Sequence, residues 1–396
     1  NSEQHDVQAR PPGDFDMMRD ARRLMNENEY FCIAPWVHLH VTGLGNMSSC
    51  CVAADVTAAE GFGSVNTASF SELWQGPKIR AFRRALLNGE KDPRCAFCHD
   101  QDALKLPSLR RVFNSFYGET AAAWVAETDE QGYAPRALPI DWDIRFSNLC
   151  NLRCRSCGYN SSSSWYDEAR TLGLWDAEKV DRVIRGIEDP ERFLAELDPF
   201  VDSVRKVTFA GGEPFLMKEN VALLERLLGA GRSDVNLLFI TNLTKIRMAR
   251  HDILSLLERF TRPAMAVSLD GSGARGEYLR KGMNWETVCA NWREVRQACP
   301  HVRLYIHYTV SVFNILHAPD FHREMVEHGY IAADELQLLL LNDPHIYNTK
   351  MLPLEIKREA AVKIRRHINW LSTQPPFNEP SGSAREADAF MQWEQC

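Results

Sequence analysis

The sequence predicts an α/β chain, an open, partial (β/α)6 barrel preceded by a small N-terminal α+β module. Two observations predict it. Over residues 136–345, six short segments rich in β-branched and aromatic residues alternate with helical stretches, as parallel strands joined by crossover helices do. Ahead of them, a glycine-punctuated hairpin pattern and short helices carry five of the eleven cysteines. At 396 residues and 45% hydrophobic content, the chain can bury cores for two or three domains. The complete eightfold barrel usually needs more chain than the alternating region offers, so six units leave the barrel open.

In chain order, residues 1–18 are polar, contain Pro11-Pro12-Gly13 and are expected to form a loosely held tail. Met18, Ala21, Leu24 and Met25 recur at helical spacing. Trp36, Val37, Leu39 and Val41, then Gly43-Leu-Gly45-Asn46 and a return through Met47 to Val52, predict two strands joined by a Gly-rich turn. A helical region follows over 71–87, broken at Gly76-Pro77 and ended by Asn88-Gly89. A polar, partly helical connection over 105–135 closes the module, which spans 19–135. Barrel strands are expected at 138–144, 206–210, 236–241, 265–269, 304–312 and 336–341. Helices are expected at 177–197, 218–228, 247–260, 285–298 and 318–327, and a C-terminal helical extension over 346–396.

A net charge of -7 argues against bulk nucleic-acid binding. No apolar run approaches the ~20 residues needed to span a bilayer, and the N-terminus lacks a secretory signal pattern. A cytoplasmic protein is therefore expected, with neither nucleic acid nor membrane as a partner. Its cysteines point to metal or redox chemistry rather than a disulfide framework. Eight of them fall in two groups, and Cys289, Cys299 and Cys396 are isolated.

Cys150, Cys154 and Cys157 form a C-x3-C-x2-C run directly after the first barrel strand, where parallel α/β folds gather their reactive groups. Thiolates suit zinc or an iron–sulfur cluster. No Cys or His follows within the next twenty residues, so either a distant ligand closes a zinc site or one metal position stays open to a small molecule. Val207-Thr-Phe-Ala-Gly-Gly-Glu-Pro214 runs out of the second strand. Its glycines, Gly211 and Gly212, let the backbone approach a ligand, and Glu213-Pro214 fixes a carboxylate in a rigid turn. Asn242 ends the third strand, and Ser268 and Asp270 the fourth, with Arg280 following. A strand-end serine can hold a hydroxyl, and a guanidinium suits a carboxylate, while Asn242 and Asp270 are ligand contacts or turn formers. At least one of His307, Tyr308 and Thr309 should face inward by alternation. In the N-terminal module, Cys32, Cys50, Cys51, Cys95 and Cys98 can close a tetrahedral zinc site or hold a cluster.

Together these motifs resemble the radical SAM superfamily over roughly residues 30–315. The resemblance implies a partial (β/α)6 TIM-like radical SAM barrel with a 4Fe-4S cluster on Cys150, Cys154 and Cys157, whose open iron chelates S-adenosylmethionine. It places Gly211, Gly212 and Glu213 at the amino group of that cofactor, Ser268 at its ribose and Arg280 at its carboxylate. Ser156 departs from the family, which usually has an aromatic or bulky apolar residue there, near the adenine. Gly45-x4-Cys50, Gly63-Ser-Val-Asn66, Leu73-Trp74 and Cys95-x2-Cys98 are similar to a SPASM or twitch module, a small α+β auxiliary-cluster domain that more often follows the barrel. That implies a second, auxiliary 4Fe-4S cluster. The glycine spacing favours Cys50 over Cys51 as its ligand.

The implied activity is reductive cleavage of S-adenosylmethionine to a 5'-deoxyadenosyl radical, which abstracts a hydrogen atom from a small-molecule or peptide substrate. An external donor such as flavodoxin or ferredoxin would supply the electron. The auxiliary cluster implies an oxidative outcome, dehydrogenation or peptide modification. A redox-neutral epimerase of a sugar or peptide is the alternative, and it needs a cysteine that returns a hydrogen atom, for which Cys289 is the barrel candidate. A non-catalytic zinc or iron–sulfur binding protein would leave Gly211, Gly212, Glu213 and Arg280 no reason to converge.

Overall fold

The structure is a computed structural model that describes residues 23–25, 27–53, 61–174, 181–248 and 251–376. The expected tail over 1–18, Cys396 and the last part of the C-terminal extension lie outside the described residues. The chain divides into two compact units, one from the chain up to His40 with Met47–Ile140, the other from Val41–Asn46 with the chain from Asp141 onward.

In the first unit, a short helix α1 (Ala34–Val37) leads into β1 (His38–Val41), which pairs with β2 (Asn46–Ser48), and β2 with β3 (Gly63–Ser64). The strand expected from Trp36 starts later because Pro35, in the first turn, presets helical φ, and Trp36 and Val37 complete that turn. Helix α2 (Phe70–Trp74) begins with a capping box in which Ser69 and Glu72 satisfy each other's backbone N–H groups. Gly76-Pro77 separates it from α3 (Pro77–Leu87), and Gly89, at φ +71°, turns the chain away. Helix α4 (Ala96–Ala103) and helix α5 (Leu109–Ala126) follow. The connection expected over 105–135 is thus mostly one continuous helix, started where the Ser108 side chain accepts from the Arg111 N–H. At the core, the buried Arg83 guanidinium donates to the Pro35 carbonyl (3.0 and 2.8 Å) and to Gln75 Oε1 (3.0 Å) while lying over Trp36 and Trp74. Burial pulls its pKa down to about 9.

The second unit holds six parallel strands: β4 (Asp141–Ile144), β5 (Lys206–Phe209), β6 (Asn236–Thr241), β7 (Arg262–Ser268), β8 (Arg303–Val310) and β9 (Leu336–Leu340). They lie side by side in chain order. The connections carry α6 (Tyr166–Thr171), α7 (Pro190–Leu197), α8 (Lys218–Gly229), α9 (Ile253–Leu257), α10 (Gly273–Leu279), α11 (Trp285–Ala298) and α12 (Ala318–Glu327), and α13 (Leu354–Leu371) follows β9. This is the partial (β/α)6 barrel expected from the alternation.

Two expected helices are shorter than the sequence suggested. The helix expected over 177–197 is only α7 among the described residues, because Asp189 caps it and Pro190 occupies its first turn, where proline cannot have helix before it. The helix expected over 247–260 reduces to α9, preceded by Arg247–Met248 paired antiparallel with His251–Asp252 and capped by Asp252.

Register divides the sheet into two faces. Ile144, Phe209, Phe239, Met265 and Leu304 align across five strands, and all are buried. Phe209 and Phe239 stack at 4.4 Å. One residue along, Asp143, Thr208, Leu238 and Ala264 align on the opposite face, and further up Ser268, His307 and Gln337 do the same. Thus His307 and Thr309 share the face of Ser268, and Tyr308 points the other way.

Candidate functional site

The chain leaving β4 enters the loop that carries Cys150, Cys154 and Cys157. Arg153–Cys154 pairs antiparallel with Arg280–Lys281, Cys154 opposite Arg280, and the Arg155 N–H donates to the Leu279 carbonyl at 2.9 Å. A run of serines downstream holds this loop. Ser162 Oγ donates to the Leu152 carbonyl (2.6 Å), Ser164 Oγ donates to the Cys150 carbonyl (2.7 Å), and Ser163 Oγ accepts from the Cys150 N–H (3.1 Å). Sequence reasoning missed these residues, although a cysteine loop needs partners for its backbone and three neighbouring hydroxyls offer them.

Beneath the loop, the Glu213 N–H donates to the Leu149 carbonyl at 2.8 Å. This close approach requires Gly212, at φ +51°, where a Cβ would come within 2.2 Å of that carbonyl oxygen. The Glu213 carboxylate accepts from Thr241 Oγ1 (2.7 Å), the Asn242 N–H (2.8 Å) and the Phe215 N–H (3.2 Å), tying the end of β5 to the end of β6. Burial nevertheless raises its pKa to about 7. Asn242 Nδ2 donates to Asn151 Oδ1 at 3.1 Å and stands 4.0 Å from Cys150 Sγ.

Arg280 closes the other side. Its guanidinium forks onto the Asp270 carboxylate at 2.9 and 3.0 Å and reaches Cys154 Sγ at 3.7 Å, with both charged groups buried. Asp270 also accepts from the Thr309 N–H at 2.9 Å. The three thiols differ in acidity. Burial pushes Cys150 up to about 11. The hydrogen bond between Cys157 and Cys154 raises Cys157 well above the ordinary thiol value and lowers Cys154, which Arg280 lowers further. Beside this group, Ser156, Asp270, Thr309, Phe313 and Tyr347 line a narrow cleft.

The structure therefore brings Cys150, Cys154, Cys157, Gly211, Gly212, Glu213, Asn242, Asp270 and Arg280 to one edge of the sheet, and Ser268 to the strand end two residues before Asp270. It does not bring Cys289 there. That thiol sits on α11, beside the face through which Val288, Trp292 and Val295 are buried, and bonds to the Tyr330 hydroxyl. Cys299 donates to the Leu254 carbonyl in the core.

In the first unit, burial raises the thiol pKa of Cys32, Cys50, Cys95 and Cys98, and neighbouring cysteines add to the rise at the first three. Burial is the largest cause in each case; Cys98 adds to Cys32, Cys32 to Cys50 and Cys95, and Cys98 to both of those. Cys50 thus lies near Cys32 and Cys98, with Cys51 beside it and acting on it most strongly of the cysteines. Four neighbouring, largely shielded thiols stay protonated until a cation displaces the protons. Among the described residues, no three of the protein's cysteine sulfurs lie within 4.8 Å of one another. A tetrahedral zinc ion would draw thiolates to roughly 3.8 Å apart, whereas a cluster spreads them over different irons. Both donor sets fit clusters better than a single ion.

A parallel sheet whose strand ends carry an open-sided group of three thiols defines a cluster-dependent α/β protein. The radical SAM superfamily model matches residues 144–322, and the model of SPASM, an iron-sulfur cluster-binding domain, matches residues 32–100. The chain thus carries a radical SAM domain with a SPASM domain ahead of it. It therefore takes a 4Fe-4S cluster, S-adenosylmethionine and an auxiliary iron–sulfur cluster. Similar solved structures include native anSMEcpe with bound AdoMet, at 18% identity and TM-score 0.42 over 59% of this chain and 60% of that one. Streptococcus suis SuiB bound to precursor peptide SuiA matches at 14% identity and TM-score 0.42 over 74% of this chain and 63% of that one. The alignments thus span less than two thirds of either solved chain. No curated protein matches the chain. No helix among the described residues is long and apolar enough to cross a membrane.

Proposed function

We propose that this radical SAM enzyme oxidises a polar substrate, of the peptide class, bound against the open face of its parallel sheet. The observation that carries the reading is the joining of Arg280, Asp270 and Cys154 in one buried network at the strand ends. When bound, the cluster and S-adenosylmethionine supply a 5'-deoxyadenosyl radical that removes a substrate hydrogen atom. The protein's part is to hold and orient. Cys150, Cys154 and Cys157 hold the barrel cluster. Gly211, Gly212 and Glu213 shape the amino-group side, Arg280 meets the carboxylate with Asp270 fixing its fork, and Ser268 meets the ribose. Phe313 and Tyr347 supply the aromatic surface that Ser156 lacks.

Cys32, Cys50, Cys95 and Cys98 hold the auxiliary cluster. Four thiolates leave it no open iron, which suits an electron acceptor and hence a net oxidation. The position of Cys289 on an outer helix also favours oxidation over epimerisation. The polar strip of Asp143, Thr208, Tyr305, His307 and Gln337 suits a substrate rich in hydrogen-bonding groups, such as a peptide backbone. The electron enters from an external donor such as a flavodoxin or ferredoxin, and the cytoplasm is the compartment that keeps these thiols reduced.

Anaerobic reconstitution followed by iron and sulfide counting, with dithionite-driven cleavage assayed, tests the reading. About eight irons are expected on two clusters, together with 5'-deoxyadenosine. Eight irons without 5'-deoxyadenosine would overturn it. With candidate peptides, a product lighter by two hydrogens is expected, and solvent deuterium at an inverted centre would favour epimerisation instead.

A further inference from the structure

His99 follows Cys98 directly and lies one helical turn beyond Cys95, the residue that caps α4, so it shares a face with Cys95. Its side chain is 7% exposed, and both ring nitrogens are buried with no hydrogen-bond partner among the described residues. Its ring meets that of Tyr30, two residues before Cys32, edge-on. His99 therefore shares a helix face with Cys95, is next in the chain to Cys98, and touches Tyr30 two residues before Cys32.

A neutral imidazole carries one N–H donor, and a buried donor left unpaired costs about 1–3 kcal/mol. Native proteins rarely accept such a cost without a partner that supplies the missing bond. The acceptors this place would gain on cluster assembly are sulfurs. We infer that His99 donates a ring N–H hydrogen bond to a sulfur of the auxiliary cluster and so raises its reduction potential. The inference rests on the reading that Cys32, Cys50, Cys95 and Cys98 hold that cluster. The sign follows from charge. Reduction adds an electron, the reduced cluster is the stronger acceptor, and a donor stabilises it more than the oxidised form. His99 is a tuning residue and ligates no iron. Its consequence is functional, since a higher potential makes the auxiliary cluster a better acceptor for an electron leaving a substrate.

The test uses the full chain labelled with [15N]histidine, reconstituted anaerobically with iron and sulfide, reduced with dithionite and kept free of S-adenosylmethionine. Pulsed EPR should find a weak 15N coupling to a reduced cluster, lost in His99→Ala while iron content is unchanged. In an EPR-monitored redox titration, the auxiliary midpoint should fall in His99→Ala and recover in part in His99→Gln, which keeps an N–H donor. No 15N coupling, or a midpoint unmoved by His99→Ala, overturns the inference. Loss of iron from both variants overturns it too, because His99 would then be a ligand. A chain with Cys150, Cys154 and Cys157 all changed to Ala separates this from failure of the underlying reading. Iron retained there means that the auxiliary site stands and only the role of His99 is at issue; no iron there removes the site itself.

Discussion

Arg280 grips Asp270 through a two-pronged ion pair while the same guanidinium reaches the sulfur of Cys154. Neither charge has water to fall back on. Asp270→Ala leaves a buried guanidinium unpaired, which typically costs about 3–5 kcal/mol. Urea unfolding of the apoprotein should show a loss of that order, against less than about 1 kcal/mol for Ser268→Ala at the half-buried strand end. Equal effects of the two substitutions would remove the special standing of the pair.

The two cysteine groups should be separable by metal content. Changing Cys150, Cys154 and Cys157 to Ala should remove about four irons and abolish 5'-deoxyadenosine formation. Changing Cys95 and Cys98 to Ala should also remove about four irons, yet spare cleavage of S-adenosylmethionine. Loss of all iron in either variant would contradict independent sites.

Gly212→Ala puts a methyl group within 2.2 Å of the Leu149 oxygen at a φ that alanine rarely adopts. The turn must move, and the Cys150 loop with it. We expect isothermal titration with S-adenosylmethionine to show at least tenfold weaker binding, while circular dichroism keeps the wild-type helix and sheet signal. An unchanged affinity would mean that the loop adapts without cost.

Phe313 and Tyr347 pack at 4.8 Å beside Ser156. An aromatic ring contact is worth about 0.5–1.5 kcal/mol beyond its area, so Phe313→Ala should weaken S-adenosylmethionine by up to about tenfold. It should leave methionine, which lacks the adenine, binding as before. Equal weakening of both ligands would assign Phe313 to general packing.

His322 and His367 meet at 2.9 Å between α12 and α13, both buried. Burial pulls their pKa values down to about 3 and about 2, from 6.5. Below pH 6.5 the unfolded chain binds protons that the folded chain refuses. The stability held in the neutral pair is therefore complete above pH 6.5 and drains away as the pH falls toward 3, at about 1.4 kcal/mol per pH unit for each histidine. Urea midpoints at pH 7.5 and 5.5 should differ by that slope in the wild type, and much less in the double variant His322→Phe with His367→Leu.

The barrel was legible because its strands carry both their period and their punctuation. The bounds expected for 236–241, 285–298 and 318–327 coincide with β6, α11 and α12. The elements misjudged were those where proline outweighed an apolar pattern, at Pro35 before β1 and Pro190 before α7. In the candidate site, cysteine spacing and the Gly211-Gly212-Glu213 turn showed which residues to watch, since thiolates and paired glycines have few bland uses at those spacings. What spacing did not reveal was pairing. That Asp270 is bound to Arg280 over ten residues, and that Ser162, Ser163 and Ser164 hold the cysteine loop, depends on the third dimension. Nor does spacing reveal that His99 is buried on α4.

Neighbouring residues on β8 face opposite ways, and this gives the strand two separate evolutionary lives. On the proposed reading, changes at Tyr305 or His307 alter the substrate side without disturbing Leu304, Ile306 or Tyr308, which carry the packing.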